Sequence, residues 1–137
     1  MRSIQPYVAM IVVSAACAGC QAKLNVSKTF MLPGDDTNNQ IWEMPAQTSE
    51  QSVKITVTVK KGSPVEVFVV KASDVGETVH GDEKEKKAWE EKGFGFKRNT
   101  KSDTVTVKIP ANVKYKVIVM QVEDAKEKSE VEVKITN

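Results

Sequence analysis

The chain has 137 residues and a mass of 15.1 kDa, which is enough for one domain with a hydrophobic core and too little for two. Lysine and arginine number 20 against 18 acidic residues, and this near balance excludes the strongly basic surface of a nucleic-acid-binding protein. Aromatic residues make up 6% of the sequence and valine dominates its apolar content, a composition that favours strands over helices.

The N-terminal segment differs from the rest of the chain. Arg2 provides a short positively charged region, and residues 7–16 form an apolar run of about ten residues. The run is too short for a transmembrane helix, which needs about 20 apolar residues, and it has the layout of an export signal. We therefore expect this segment to direct the chain out of the cytoplasm.

The export signal ends in Cys17-Ala18-Gly19-Cys20, a motif that resembles the lipobox of bacterial lipoprotein precursors. The resemblance implies cleavage after Gly19, so that residues 1–19 are a lipoprotein signal peptide and the thiol of Cys20 carries the lipid. It further implies that residues 20–22 are the lipidated cysteine and a tether, and that residues 23–137 form the folded domain.

Two alternatives to lipidation at Cys20 remain open. The frame Ser14-Ala15-Ala16-Cys17 would place the lipid on Cys17, although the polar Ser14 fits the lipobox less well. An ordinary cleaved export signal, without lipid, is the other interpretation. If Cys20 is lipidated, the lipoprotein resemblance favours the outer membrane over the plasma membrane, because Gln21 replaces the aspartate that can cause inner-membrane retention.

The strongest strand pattern lies in residues 53–70. Valine and isoleucine alternate with lysine and threonine over residues 53–60, as in a strand with one buried and one solvent-facing side. Gly62 and Pro64 mark a turn, after which Val65, Val67 and Val69 resume the alternation. The pattern predicts an antiparallel hairpin whose apolar side lies against a second sheet.

Further strands follow from the same periodicity. They are predicted at residues 23–32, 40–44, 93–98, 103–109, 113–122 and 131–135. Lys28 interrupts the apolar side of the first of these and indicates an edge position, whereas strand 113–122 is apolar on both sides and is predicted to be the most central. About eight short strands, spaced roughly 8 to 12 residues apart, predict an all-β fold, an antiparallel β-sandwich.

A short helix is predicted at residues 83–92. Asp82 and Glu85 have the spacing of a capping box, and Gly93 stands where a C-terminal cap is expected. Opposite charges four residues apart are expected to pair along the helix surface. These pairs are Glu83 with Lys87 and Lys86 with Glu90.

The strand order resembles a known accessory domain. A valine-rich hairpin, a charged excursion and the segments Thr104-Val105-Thr106-Val107-Lys108-Ile109-Pro110-Ala111 and Tyr115-Lys116-Val117-Ile118-Val119 are similar to the bacterial pre-peptidase C-terminal-like β-sandwich. The resemblance covers roughly residues 50–137. It implies a jelly-roll-like, non-catalytic module.

Side chains that could support catalysis or metal binding are sparse. His80 lies in a polar loop without a nearby nucleophile or orienting group in sequence, and one histidine cannot fill a zinc site. Asp35, Asp36, Asn38 and Asn39 offer oxygen ligands, but they lack EF-hand spacing and are typical turn residues. No catalytic residue, metal or cofactor is therefore predicted.

Three aromatic residues are candidates for a ligand surface. Phe94 and Phe96 are predicted to lie on one side of the strand at residues 93–98, and such residues either enter the core or form an exposed platform. Trp89 is predicted to anchor the helix on the sandwich, and it is the third candidate.

These features predict a non-catalytic envelope lipoprotein, a structural or interaction module exposed outside the cytoplasm. The alternative is a peptide- or glycan-binding accessory protein of a secreted or envelope complex, using a sheet edge or the loops at one end. An enzyme is the least favoured class. The expected partners are a membrane, through the lipid anchor, and an envelope protein or glycan, with no nucleic acid.

Overall fold

The computed structural model of the chain describes residues 13–14, 23–34 and 38–137. Strands in these residues, numbered in chain order, are β1 (Val13–Ser14), β2 (Lys23–Leu32), β3 (Asn39–Met44), β4 (Gln51–Lys61), β5 (Val65–Lys71), β6 (Gly95–Thr100), β7 (Ser102–Ile109), β8 (Tyr115–Gln121) and β9 (Ser129–Thr136). Helix α1 (Glu83–Lys92) and a 3₁₀ helix (Ala72–Asp74) lie between β5 and β6. The lipobox-like residues 17–20, and Asp35 and Asp36, lie outside the described residues.

The strands form two antiparallel sheets. The first has the order β1-β2-β9-β4-β7 and the second the order β3-β8-β5-β6. β1 contributes only two residues, which pair with the start of β2, so each sheet has four strands of six residues or more. This arrangement confirms the predicted all-β class and the antiparallel β-sandwich with one short helix.

Side chains from both sheets form the main hydrophobic core. In β9, and over most of β4, every second residue is buried, as expected for strands with one covered side. Their valines and isoleucines share one cluster with Trp42 and Tyr115 of the second sheet. Phe30 of β2 meets the Trp42 ring edge-on, with ring centroids 5.6 Å apart.

The outer side of the second sheet is covered as well. β5 is buried at six of its seven residues and β8 at five of seven, so both strands lie between two packed layers. The position of β8 between β3 and β5 confirms that the strand predicted at 113–122 is interior, but it is not the most central strand, because β5 is equally interior and is buried at more of its residues. The outer layer is a second cluster of eight apolar residues, namely Ile41, Phe68, Val70, Val75, Val79, Trp89, Ile118 and Met120.

The predicted hairpin over residues 53–70 is wrong. β4 pairs with β7 and β9 in the first sheet, whereas β5 pairs with β6 and β8 in the second. The turn between them therefore crosses from one sheet to the other. Gly62 is required there, because its φ is 94° and a Cβ would stand 1.8 Å from the Lys128 carbonyl oxygen. Strand alternation specifies which side of a strand is buried, but not which strand lies beside it.

The ends of the strands define two ends of the sandwich. At the end that we call the entry end, β2, β4, β6 and β8 begin, and β3, β5, β7 and β9 finish. The loops after β3 and β7 meet there, where the Asn112 N–H donates to the Gln47 carbonyl oxygen at 2.7 Å. The turns after β4 and β8 lie at the opposite end. Among the described residues, no helix is long and apolar enough to cross a membrane.

Candidate interaction site

A buried carboxylate lies beneath helix α1. Glu66 follows the alternation of β5, so its side chain shares the outer side of the second sheet with Phe68 and Val70. Glu66 is only 3% exposed, and its Oε1 accepts a hydrogen bond from the Nζ of Lys86 at 2.5 Å. Lys86 is 2% exposed, so both charges of this ion pair are removed from water. Such a pair persists only when its partners satisfy each other.

Arg98 links the buried pair to the helix surface. Its Nε donates to Glu66 Oε2 at 2.5 Å, and its two terminal nitrogens contact Glu83 at 2.6 Å and Glu90 at 3.0 Å. The hydrogen bond to Glu83, followed by that to Glu66, raises the pKa of Arg98, and the same Arg98 contact lowers the pKa of Glu83. We refer to Glu66, Glu83, Lys86, Glu90 and Arg98 as the ion-pair cluster.

Local geometry explains how these residues meet. Glu83, Lys86 and Glu90 are three and four residues apart, and this spacing places them on one side of α1. A register shift between β5 and β6 leaves Arg98 and Asn99 facing Glu66, and Asn99 has a φ of 54°. The helix face and the bulge thus bring five charged side chains together.

The predicted helix agrees with the structure in its bounds but differs in its contacts. Asp82 caps the helix, because its Oδ1 accepts from the Glu85 N–H at 2.8 Å. In a capping box the Glu85 carboxylate would accept a hydrogen bond from the Asp82 N–H. Here it accepts hydrogen bonds from the N–H groups of His80 and Gly81, at 3.0 and 2.8 Å. Gly93 is extended, with φ of −77°, rather than left-handed.

The helix-surface pairing of Lys86 with Glu90 is not what the structure shows. Lys86 points inward to Glu66, while Glu83 and Glu90 both contact Arg98 of β6. The ion pairs therefore join the helix to the sheet. The sequence held one signal of this arrangement, since Lys86 lies three residues before Trp89 and so shares its side of the helix.

The three aromatic candidates occupy different environments. Trp89 is 2% exposed and packs against Phe68 at 5.3 Å, so it anchors the helix and does not form a surface. Phe94 is half-buried against the main core, and Phe96 stacks on Phe68 of the outer cluster at 6.4 Å. The expectation that Phe94 and Phe96 share one side of a strand is wrong. Phe94 precedes β6, and only Phe96, at 44% exposure, reaches the surface.

A charged cleft of about 480 Å³ adjoins the ion-pair cluster. Its charged lining consists of the cluster residues Glu66, Glu83 and Arg98, with Glu123 and Asp124 from the turn after β8. Because Arg98 is already occupied by three carboxylates, the cleft offers excess negative charge. In the described part of the chain, no group of three or more histidine, cysteine, aspartate or glutamate side chains could hold a metal ion. His80 is exposed in its loop.

No family model matches this chain, and no curated protein matches it in sequence. Solved structures do share its β-sandwich. The pre-peptidase C-terminal domain of a collagenase from Bacillus anthracis has a TM-score of 0.55 at 11% identity, over 98% of this chain and 96% of that one. This similarity confirms, at the level of the fold, the resemblance inferred from the strand pattern.

Two further structures have the same fold. PliG of Aeromonas hydrophila, a periplasmic inhibitor of g-type lysozyme, has a TM-score of 0.51 at 13% identity, covering 98% of this chain and 96% of PliG. CorA of Methylomicrobium album, a surface-associated copper-binding protein, has a TM-score of 0.51 at 10% identity, covering 98% of each chain. At these identities the similarity defines the architecture alone.

Proposed function

We propose that the chain is a lipid-anchored, non-catalytic interaction module of the bacterial cell envelope. The observation that carries the proposal is the sequence Cys17-Ala18-Gly19-Cys20, followed by two residues and then by β2, the first strand of the sandwich core. A lipid on Cys20 would hold a folded domain directly at a membrane surface, outside the cytoplasm. Gln21 favours the outer membrane.

The ion-pair cluster supports a non-catalytic role. Its buried members, Glu66 and Lys86, contact each other, and Glu66 also contacts Arg98. Groups committed to joining a helix to a sheet are poorly suited to serve as a general base or acid, which must be free to exchange a proton with substrate. PliG and CorA, which share the fold, are described as an inhibitor and as a copper-binding protein, and both descriptions are of binding roles.

Intact mass spectrometry of the protein purified from membranes tests the lipid anchor. The mature protein should lack residues 1–19 and should carry an added lipid mass on Cys20. A mature protein that carries no lipid would refute the proposal. A lipid mass with loss of residues 1–16 only would move the attachment to Cys17.

A peptide- or glycan-binding accessory role is the second candidate, and Phe96 favours it. β6 is an edge strand of the second sheet, and Phe96 is exposed on it while stacked on Phe68. An extended peptide can pair with an edge strand through its main chain, and an exposed ring can pack against a peptide side chain or a sugar. The stacking on Phe68 holds the ring in place for such a contact.

Substitution of Phe96 separates this role from packing. Met31 of β2, in the other sheet, is 46% exposed and is a matched control. Phe96→Ala should reduce capture of an envelope ligand, whereas Met31→Ala should not, and both variants should keep the wild-type circular dichroism spectrum. Equal capture by both variants would exclude Phe96 as a binding residue.

A further inference from the structure

Lysines outnumber acidic side chains at the entry end of the sandwich. Those on strand ends and loops there are Lys23, Lys54, Lys71, Lys108, Lys114 and Lys116. All are exposed except Lys116, which is half-buried. Within the described residues, the acidic side chains of the same strand ends and loops are Glu43, Glu50, Asp74 and Glu77. The entry end is therefore positively charged, even with a carboxylate counted on Asn137.

The strand register aligns these lysines along one edge of the first sheet. Lys54 of β4 pairs with Thr136 of β9, and Thr136 pairs with Asn25 of β2, two residues from Lys23. Lys108 of β7 pairs with Ser52, two residues before Lys54. Since neighbouring strands are about 4.8 Å apart, β7 lies roughly 14 Å from β2, and the three lysines form a row.

The second sheet adds to the same surface. The Lys114 carbonyl oxygen accepts a hydrogen bond from the Ala72 N–H at 2.9 Å, which places Lys114 beside the end of β5 at Lys71. Lys116 lies on β8, opposite Glu43 of β3. The lysines thus span both layers of the sandwich.

The predicted lipid attachment is close to this surface. Only Gln21 and Ala22 separate Cys20 from Lys23, and three chain steps reach at most about 10 Å. Charges interact across about 8 Å at physiological salt, so lysines within this reach of the lipid can interact with charged headgroups. The opposite end is too far away for such an interaction, because β4 has 11 residues and a strand of that length spans roughly 35 Å.

We propose that the entry end lies on the anionic phospholipid headgroups of the membrane that holds Cys20, with its lysines facing the lipid. The proposal rests on the proposed lipid anchor. Each lysine held near an anionic lipid surface strengthens association roughly fivefold, so a few of them fix the orientation of a domain that is already tethered. The charged cleft, at the opposite end, then faces away from the membrane.

Lysine labelling of the lipidated protein tests the orientation. The protein purified from membranes is bound to vesicles of phosphatidylcholine, or of phosphatidylcholine with phosphatidylglycerol, and acetylation of each lysine is followed by mass spectrometry. With phosphatidylglycerol at low salt, labelling of Lys54, Lys108 and Lys114 should slow roughly fivefold, and high salt should remove the effect. Lys101 and Lys126, at the opposite end, are internal controls and should label equally on both vesicles.

Paired charge reversals provide a second test. Lys54→Glu with Lys108→Glu should abolish the protection of Lys114, whereas Lys101→Glu with Lys126→Glu should leave it intact. Equal labelling of the lipidated wild type on both vesicles, or protection of Lys114 unaffected by the first pair, would overturn the proposed orientation alone. A preparation without lipid mass on the chain would instead refute the lipid anchor, and the orientation with it.

Discussion

Glu66 is the acidic residue of β5, and its neighbours on the outer side of the sheet are apolar. Its charge is satisfied by Lys86 and Arg98, which come from α1 and β6. Because Lys86 is also buried, neither side chain can return to water without moving the helix. We therefore expect the helix to stay packed on the sheet when Glu66 and Lys86 are both charged or both replaced by apolar residues, and to be destabilised when only one of them is replaced.

Substitutions at Glu66 and Lys86 test this dependence. Glu66→Leu should lower the free energy of unfolding by about 3–5 kcal/mol, because it leaves a buried lysine uncompensated. Glu66→Leu combined with Lys86→Met should recover most of that loss, since Arg98 keeps Glu83 and Glu90 as partners. Urea unfolding measures both values.

The exposed pair of Lys60 with Glu132 is the control for this experiment. Its nitrogen and oxygen are 3.4 Å apart, and Lys60 is 47% exposed. Lys60→Met should change the free energy of unfolding by less than about 1 kcal/mol. If Glu66→Leu cost no more than this control, the buried pair would not hold the helix.

Acid should weaken the contact between Arg98 and the helix. The hydrogen bond from Arg98 holds the pKa of Glu83 below its ordinary value of 4.5. A carboxylate with a lowered pKa in the folded state contributes stability above its ordinary pKa, and this contribution is lost as the pH falls through the folded value. The urea midpoint of the wild type should thus fall as the pH drops below 4.5.

A matched pair of variants isolates Glu83 in the acid series. Glu83→Gln should flatten the loss of the urea midpoint between neutral and acid pH, because the titrating group is gone. Glu77→Gln, at an exposed position of the loop before α1, should retain the wild-type slope. Parallel curves for all three proteins would contradict the role given to Glu83.

The sequence predicted part of the chemistry at this scale. Trp89 was identifiable as an anchor because it is the large apolar residue of a polar helix, and the structure buries it. The pairing of Glu66 with Lys86 and Arg98 was not predictable, because the three residues come from separate elements and meet through a β-bulge. Residue spacing along a helix reveals only partners on that helix.

At the scale of elements, α1 ends where the chain must pass close to two carbonyl groups. Gly93 has an ordinary negative φ, so backbone strain does not require glycine there. A Cβ at this position would stand 2.3 Å from the Trp89 oxygen and 2.8 Å from the Val69 oxygen. Glycine is required at this helix end because a side chain would clash with the two carbonyl oxygens, and not because the backbone needs a positive φ.

Alanine substitutions test whether a glycine has room for a Cβ atom. Gly93→Ala should lower the free energy of unfolding by about 1–3 kcal/mol through overpacking against backbone atoms. Gly76→Ala is the control, because the nearest atom to its Cβ would be the Thr78 oxygen at 3.8 Å. Thermal or urea unfolding of the two variants gives the comparison. A Gly93→Ala protein as stable as Gly76→Ala would contradict the close approach.

Strand partnership was the element-scale feature that the sequence could not determine. A turn containing glycine and proline suits a hairpin, but it equally suits a crossing between sheets. β5 is an interior strand, and its two edges pair with β6 and β8. No edge of β5 is therefore left for β4. The alternation in residues 53–60 correctly predicts which side of β4 is buried, but it does not predict that β4 pairs with β7 and β9.

An engineered disulfide tests the observed pairing. Thr56 of β4 lies opposite Thr104 of β7, and their hydroxyl oxygens are 3.3 Å apart. With residues 17 and 20 changed to serine, Thr56→Cys and Thr104→Cys should form an intramolecular disulfide on mild oxidation. Thr56→Cys with Lys60→Cys, four residues apart on one strand, should not. Failure of the first pair to oxidise would contradict the pairing of β4 with β7.

At the scale of the whole molecule, the sequence predicted the class of fold and the interior position of β8, but not that β5 is equally interior. Alternating valines were sufficient for the class of fold, and apolar residues on both sides of β8 were sufficient for its interior position. To predict that α1 packs on the outer side of the second sheet, one would need the order of the strands in that sheet, which the periodicity does not give. The fold presents a positively charged entry end, an edge strand with Phe96, and a charged cleft at the far end.

Incorporation of radiolabelled palmitate in cells tests the central claim, that a lipid holds this sandwich on a membrane. The wild type and Cys17→Ser should be labelled, whereas Cys20→Ser should not. Labelling that depended on Cys17 alone would shift the attachment site. Absence of label from the wild-type protein would contradict the account.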